Sequence, residues 1–522
     1  MRTRSKHGLA VTVMVLISIC GYAQCPDRPA TGTVVADAPS IVSQNGTLST
    51  KFTMAQSVDN VGYTHYCYKY AAGNQIVEAP TLRLNPGDTL GLDIVNQNTQ
   101  QDAGMMKMDM AIAGTPVCGD TGMATVSSTN VHFHGMNVPT TCHQDNVINT
   151  LIQPGSPGFQ YRIQIPANEP PGLYWYHPHV HGFTEFQVNG GAAGALVVEG
   201  MEKYRPEVAG LPERVFVIRQ QFLVPWVPGP YQLTINYQVA PLFGTGPIVQ
   251  MKPGEKQFWR VANATLQDFL KLQFMVNGKA QPMQLIALDG YPLSQARLQS
   301  TISIPVAGRA EFIVQAPPAG ATASFVTSQV DTGPTGNPDF AQTLATIQLT
   351  DNAVSGWHTP SAGAPADPSR LQFANLSEQL AITQRKLYFS EEFGGTNGPI
   401  QFYITVNGQK QKVFDMNEPP AIVTKVGAVE DWTIENRALE THAFHMHQIH
   451  FKVLEIDGQP ATNQDLRDTV EIPFWEGNGH PYHSVKVRMD FRDPNTAGMF
   501  VFHCHILLHE DLGMMHKILV QP

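Results

Sequence analysis

The chain has 522 residues, of which 42% are hydrophobic and only 15% charged, with 44 Gly and 39 Pro. That balance excludes a coiled coil or a disordered chain and favours many short strands joined by tight turns; at about 150 residues per domain the length suits roughly three domains. A net charge of −10 with no long Lys/Arg run excludes a nucleic-acid binder, whose affinity comes from clustered cations.

The first element is an export signal. Arg2, Arg4 and Lys6 precede an apolar run over residues 9–20, then the small residues Gly21 and Ala23, so residues 1–23 read as a cleavable leader. The run is shorter than the roughly 20 residues that cross a bilayer, and no membrane span is expected in the mature chain. Without an adjacent Arg pair the Sec route is expected, toward a periplasm or the exterior. Of the six cysteines, Cys25, Cys67, Cys118, Cys142 and Cys504 survive cleavage. Four can form two disulfides in an oxidising compartment, with three connectivities open; proximity favours Cys25–Cys67 and Cys118–Cys142.

Next comes a threefold repeat. Asn85-Pro-Gly-Asp leads to Asp93-Ile-Val-Asn96, Lys252-Pro-Gly-Glu to Arg260-Val-Ala-Asn263, and Lys425-Val-Gly to Thr433-Ile-Glu-Asn436. In each copy the glycine (Gly87, Gly254, Gly427) opens a turn, alternating apolar residues make a strand, and the asparagine closes it. The copies lie about 170 residues apart, too far for a solenoid, so they mark three related domains. The expected division is 24–200, 201–370 and 371–522, with the Pro/Ala/Gly-rich residues 355–369 linking the second to the third. Alternating runs at 301–306, 311–314 and 486–491 point to antiparallel sandwiches.

The histidines are distributed unevenly. None lies between His181 and His358, so the middle domain is bare. His-x-His occurs at 132/134, 177/179, 179/181, 445/447 and 503/505, where random placement predicts about 0.7 pairs. On a strand this spacing puts both imidazoles on one face, where they can serve one metal cluster. Met105, Met106, Met108 and Met110 precede the first pair and read either as packing or as soft ligands for cuprous ion. Cys142 and His143 follow it, and a disulfide is preferred there to a second metal site. In the last cluster, His503-Cys504-His505 with His509 and Met514, Cys504 and His509 together with one distant His would make a trigonal His₂Cys site with Met514 as a weak axial ligand, the donor set of a blue copper site. Strand alternation puts Cys504 on one face and His503 and His505 on the other, so one tripeptide can serve two metal sites.

Four segments now resemble the copper motifs of the multicopper oxidases: His132-Phe-His134-Gly, Trp175-Tyr-His177-Pro-His179, His442-Ala-Phe-His445-Met-His447, and His503-Cys504-His505 through Met514. The resemblance covers nearly the whole mature chain and implies an all-β fold of three cupredoxin-like Greek-key β-sandwich domains, with copper only in the first and third. It implies four copper ions: a type 1 ion on His442, Cys504, His509 and Met514, a type 2 ion on His132 and His445, and a type 3 pair on His134, His177, His179, His447, His503 and His505. One departure is Ala443, where proline is common in the family. His181, His450, His480 and His483 are expected to be structural, since the ligand count is complete without them. Asp145 and Glu510 resemble the family's acids that relay protons for dioxygen reduction; the plainer reading is that each orients a ligand histidine.

The implied activity is laccase-like: one-electron oxidation of phenols or aromatic amines coupled to four-electron reduction of dioxygen to water. Donors are expected at an exposed edge of His442 or His509, with electrons passing through Cys504 to His503 and His505. The nearest alternative is a cuprous or other metal oxidase in copper detoxification. A rival of another class is a non-catalytic copper-sequestering or envelope scaffold protein. A two-domain nitrite reductase is excluded by the third repeat and the eight histidines of the type 2 and type 3 set.

Overall fold

A computed structural model describes residues 24–59, 62–99, 108–109, 118–221, 232–353, 356–394 and 400–522. The leader at 1–23 lies outside the described residues, as do Met105, Met106, Met110 and the side chain of Met108. Among the described residues strands dominate, and the three α-helices Thr184–Asn189, Met201–Tyr204 and Leu507–Asp511 are each a turn or two long. Among the described residues no helix is long and apolar enough to cross a membrane.

The repeat organises all three sandwiches. Its strands Thr89–Asn96, Lys256–Ala264 and Ala428–Asn436 each occupy the interior of a sheet. Each pairs parallel on one side, with Thr47–Val58, Pro212–Gln221 and Thr383–Phe393, and antiparallel on the other, with Phe159–Gln164, Arg309–Gln315 and His483–Phe491. A parallel neighbour demands a crossover, and three crossovers in the same place give three Greek keys. The facing sheet of the first sandwich runs in the order Ser40–Val42, Thr81–Leu84, Gly194–Val198, Gly172–His177, His132–His134. That of the third contains Ile422–Lys425, Met515–Gln521, Gly498–Cys504, His442–Met446 and Thr469–Ile472. These two sheets carry all four histidine motifs or lead directly into them.

The closing asparagines act alike in each copy. The Asn96 amide donates to the Ser127 and Ile152 carbonyls, Asn263 to those of Asp268, Ile304 and Pro305, and Asn436 to those of Glu440, Ile472 and Pro473. Each Oδ1 accepts the N–H two residues on, from Asn98, Thr265 and Ala438. A short amide thus replaces the ladder where the strand leaves its sheet, and buried carbonyls stay satisfied. Asn436→Ala orphans three of them, and the expected cost is about 2–3 kcal/mol. That corresponds to a fall of roughly 5–10 °C in the unfolding midpoint. A calorimetric scan with an unchanged midpoint would show that the turn does not depend on the amide.

Alternation fills the cores. Leu90, Leu92 and Ile94 are buried on one face of their strand, and Trp259 and Trp432, fully buried, take the place of Leu92 in the other two copies. The first core includes Val501, Met515, Phe414 and Met416 from the C-terminal part of the chain, so the first and third sandwiches share an apolar interior. Leu173, Trp175 and Val197 pack on Val215, Val217 and Ala262, joining the first to the second. The residues read as a linker run along the second sandwich, with Trp357–His358 paired to Pro212 and Glu213. Both expected disulfides are present, Cys25–Cys67 and Cys118–Cys142, leaving Cys504 as the free, buried thiol.

Candidate metal centre

Strand register assembles the site. His132–His134 lies antiparallel to Gly172–His177, with His132 opposite His177 and His134 opposite Trp175. In the third sandwich His445 lies opposite His503 and Phe444 opposite Cys504. Because successive side chains alternate faces, His442 and Cys504 turn one way while His445, His503 and His505 turn the other. The shared interior of the first and third sandwiches then closes the two sets of histidines on each other.

The result is a cage of eight buried imidazoles: His132, His134, His177, His179, His445, His447, His503 and His505. His132 stacks on His447 at 3.9 Å and His134 on His445 at 4.0 Å, each pair bridging the first and third sandwiches. His503 Nε2 lies 3.2 Å from His447 Nε2 and 3.4 Å from His179 Nε2. Ligand-capable atoms converge in the sets His132/His134/His445, His134/His177/His505 and His179/His447/His503. Burial and neighbouring imidazoles hold these rings well below the usual histidine range, with His177 at about 3 and His445 at about 4. They are therefore neutral, the form that ligates metal.

Past Cys504, the Leu507–Asp511 helix turns the chain back, so that the Met514 carbonyl accepts from Cys504 N–H and Met514 N–H donates to the His509 carbonyl. The Cys504 thiol then lies 3.5 Å from His442 Nδ1 and 3.9 Å from His509 Nδ1, with Met514 buried in the same cluster. Phe402 stacks on His509 at 4.0 Å and Phe389 lies 4.9 Å from His442.

These donors fit copper. His132 Nε2, His134 Nδ1, His177 Nε2, His445 Nε2, His447 Nδ1 and both nitrogens of His505 are buried with no hydrogen-bond partner. His181 and His450 leave one such nitrogen each, but seven orphaned nitrogens in one cage, at about 1–3 kcal/mol apiece, call for a shared partner. Imidazole suits several transition metals, but a thiol with two imidazoles and a thioether selects copper over the hard divalent ions.

Two acids touch the cage. Asp145 accepts from His132 Nδ1 at 2.9 Å, from Phe133 N–H at 3.1 Å and from the Gln448 amide at 2.8 Å, and burial pushes it up to about 7. Glu510 accepts from the Thr184 hydroxyl at 3.1 Å and lies 3.5 Å from His179 Nε2 and 3.4 Å from His503 Nδ1. Burial and Asp511 raise its carboxyl well above the usual range.

One expectation is overturned on the donor side. His442 is fully buried and His509 is only 4% exposed, so neither offers an open edge. Glu391 covers the first, with its carboxylate 3.3 Å from His442 Nε2, and Glu440 the second, 3.6 Å from His509 Nε2. Burial and the neighbouring Glu391 push Glu440 up to about 8. Sequence reasoning missed both acids, although Glu440 lies only two residues before His442. It also missed Asp468 and Gln448, which contact His134 and Asp145. Among the described residues, the other histidines fall outside the cage. His181 packs edge-on against Phe414, His450 donates to the Asp289 carbonyl, and His483 lies between Asp457 and Glu476, its pKa raised by bonds to both. The Trp475 indole donates to the His480 carbonyl, and the His143 ring stacks on Phe159.

Comparison with known proteins agrees with this geometry. Three profiles described as multicopper oxidase match residues 124–203, 217–353 and 394–522. A multicopper oxidase of Staphylococcus haemolyticus is 24% identical over 494 residues, covering 88% of this chain and 90% of that protein. A Bacillus subtilis laccase is 21% identical over 428 residues, covering 75% and 79%. The fold matches that of a Campylobacter jejuni multicopper oxidase described as a metallo-oxidase, with a TM-score of 0.68, 22% identity, and 96% and 98% of the two chains covered. With three matched segments in series on three cupredoxin sandwiches and a buried histidine cage beside a His–Cys–His cluster, the chain belongs to the multicopper oxidase family.

Proposed function

We propose that this protein takes single electrons from a small reducing donor on its Cys504 side and passes them to dioxygen in the histidine cage, giving water. The observation that carries the reading is the tripeptide His503-Cys504-His505. Its thiol lies among His442 and His509 while its flanking imidazoles enter the cage, so a few covalent bonds join the two sites. In this reading His442, Cys504, His509 and Met514 hold a type 1 copper, His132 and His445 a type 2 copper, and His134, His177, His179, His447, His503 and His505 a type 3 pair. Copper bound there would supply one-electron redox chemistry on the thiolate side and dioxygen reduction in the cage.

The chain's own residues supply the rest. The buried cage excludes bulk water, so the imidazoles keep fixed positions in a low dielectric. Asp145 and Glu510 hold His132 and His503 in place and are the acids positioned to deliver the four protons that water formation consumes. The expected leader supports export, with the two disulfides consistent with an oxidising compartment.

The donor-side geometry favours a metal-ion donor over a phenol, and cuprous ion is the one to test first. A phenol would need to touch an imidazole edge, and both edges lie behind carboxylates. Acid oxygens in that position suit a metal cation, which can take the place of the Glu440 proton. The phenolic reading rests on similarity to the laccases. Oxygen uptake with a stabilised cuprous complex and with a methoxyphenol separates them. The cuprous kcat/KM is expected to be at least about tenfold the larger, and Glu391→Gln with Glu440→Gln to lower it about 10–100-fold. A phenol preference that survives both substitutions would make the protein a laccase.

A further inference from the structure

The middle sandwich supplies no metal-ligating histidine, yet one of its side chains reaches the cage. Arg309 is fully buried and uses all five of its N–H groups. Nε donates to the Leu173 carbonyl in the first sandwich, and Nη1 and Nη2 to the Ala307 and Asp289 carbonyls in the second. The same two nitrogens form a fork onto Asp468 in the third, at 2.7 and 2.5 Å. Asp468 in turn lies 3.4 Å from His134 Nε2, and its carbonyl accepts from His445 Nδ1 at 2.8 Å. These are the rings that stack at 4.0 Å across the cage, and their other nitrogens, His134 Nδ1 and His445 Nε2, are the ones left unpartnered.

The first histidine motif is shaped around this pair. Gly135 has φ +89°, and a Cβ there would lie 2.4 Å from Arg309 Nη2 and 2.7 Å from Asp468 Oδ2. The motif's glycine is thus needed for the room the ion pair occupies, as well as for its backbone angle. A guanidinium is suited to this position because its planar fork fixes a carboxylate in two directions at once, which an ammonium cannot do.

We propose that Arg309 is a positioning residue for the metal cage: through Asp468 it sets which nitrogen of His134 and of His445 faces the metal, and so makes the middle sandwich part of the active site. This rests on the cage being a copper site. Removing the fork would leave the Asp468 carboxylate held by the Thr469 hydroxyl alone, freeing His134 to change tautomer, and would release the backbone whose carbonyl meets His445 Nδ1, without touching the Cys504 cluster.

The test is the electron paramagnetic resonance and visible spectrum of copper-loaded Arg309→Gln, Arg309→Lys and Asp468→Asn, with copper retention against a chelator. In all three the blue absorption is expected to stay at the wild-type level. The signal of copper at His132 and His445 should shift, and cage copper should be retained about 10–100-fold less tightly. Arg309→Lys keeps the charge and is included in case the glutamine variant does not fold. Wild-type cage signal and retention in the lysine and Asp468→Asn variants would overturn the proposal. So would parallel loss of the blue and cage signals with a fall in Tm, which is what a purely structural role predicts. A wild-type protein that is blue but takes no copper into the cage would overturn the copper reading of the cage itself.

Discussion

Cys504→Ser is expected to abolish the blue absorption and to reduce oxygen uptake with any donor to the assay background. Cys504 is fully buried, its sulfur facing His442 Nδ1 and His509 Nδ1, and a serine hydroxyl there is neither soft nor readily ionised. The cage should survive. The backbone bonds that place its neighbours, Cys504 N–H to the Met514 carbonyl and His505 N–H to the Ala443 carbonyl, do not involve the side chain. Copper analysis is therefore expected to fall from four ions per chain to three, with the cage spectrum intact. A colourless wild-type protein after loading would favour the copper-sequestering or scaffold reading. A serine variant that kept turning over would detach the reaction from the Cys504 cluster.

The second large effect is expected at Asp145. Asparagine fits the same space and can still accept from Phe133 N–H, but it can neither carry a proton nor anchor His132 as an anion. Turnover should fall by about 10²–10³-fold, the range for loss of a positioned acid or base. The blue absorption should be unchanged, because Asp145 has no contact with the Cys504 cluster. A relay and an orienting role separate in the cage spectrum. A slow enzyme with a wild-type cage signal supports the relay, while a slow enzyme with a shifted signal supports orientation of His132. Unchanged turnover would remove Asp145 from the mechanism.

The comparison of sequence and structure divides by range of interaction. Gly87, Gly254 and Gly427 all take positive φ, as the turns that open the repeat require, and the three asparagines close equivalent turns. These features are local, since nine residues contain the turn, the alternation and the closing amide. The His-x-His pairs were legible for the same reason: on a strand and just past its end the pleat turns a spacing of two into a shared face, and the cage collects eight of the nine imidazoles so spaced. His181, with the same spacing, follows its neighbour out of the strand and packs on Phe414 instead.

Burial of the donor-side rings was not legible. Nothing near His442 indicates that Glu391, on another strand, covers it, and the expected open edge was wrong for that reason. Arg309 and Asp468 are 159 residues apart in different sandwiches, and a single Arg or Asp in a strand has no periodicity to mark it. By itself the sequence determined the three-domain β fold and the metal-competent histidines, because strand alternation and short spacings encode them within a few residues; it left three disulfide pairings open, of which proximity favoured the one the structure has. Only the tertiary structure decided which nitrogens of those histidines are free and which carboxylates face them. Those depend on side chains that meet across domain boundaries, where packing rather than local pattern sets the neighbours.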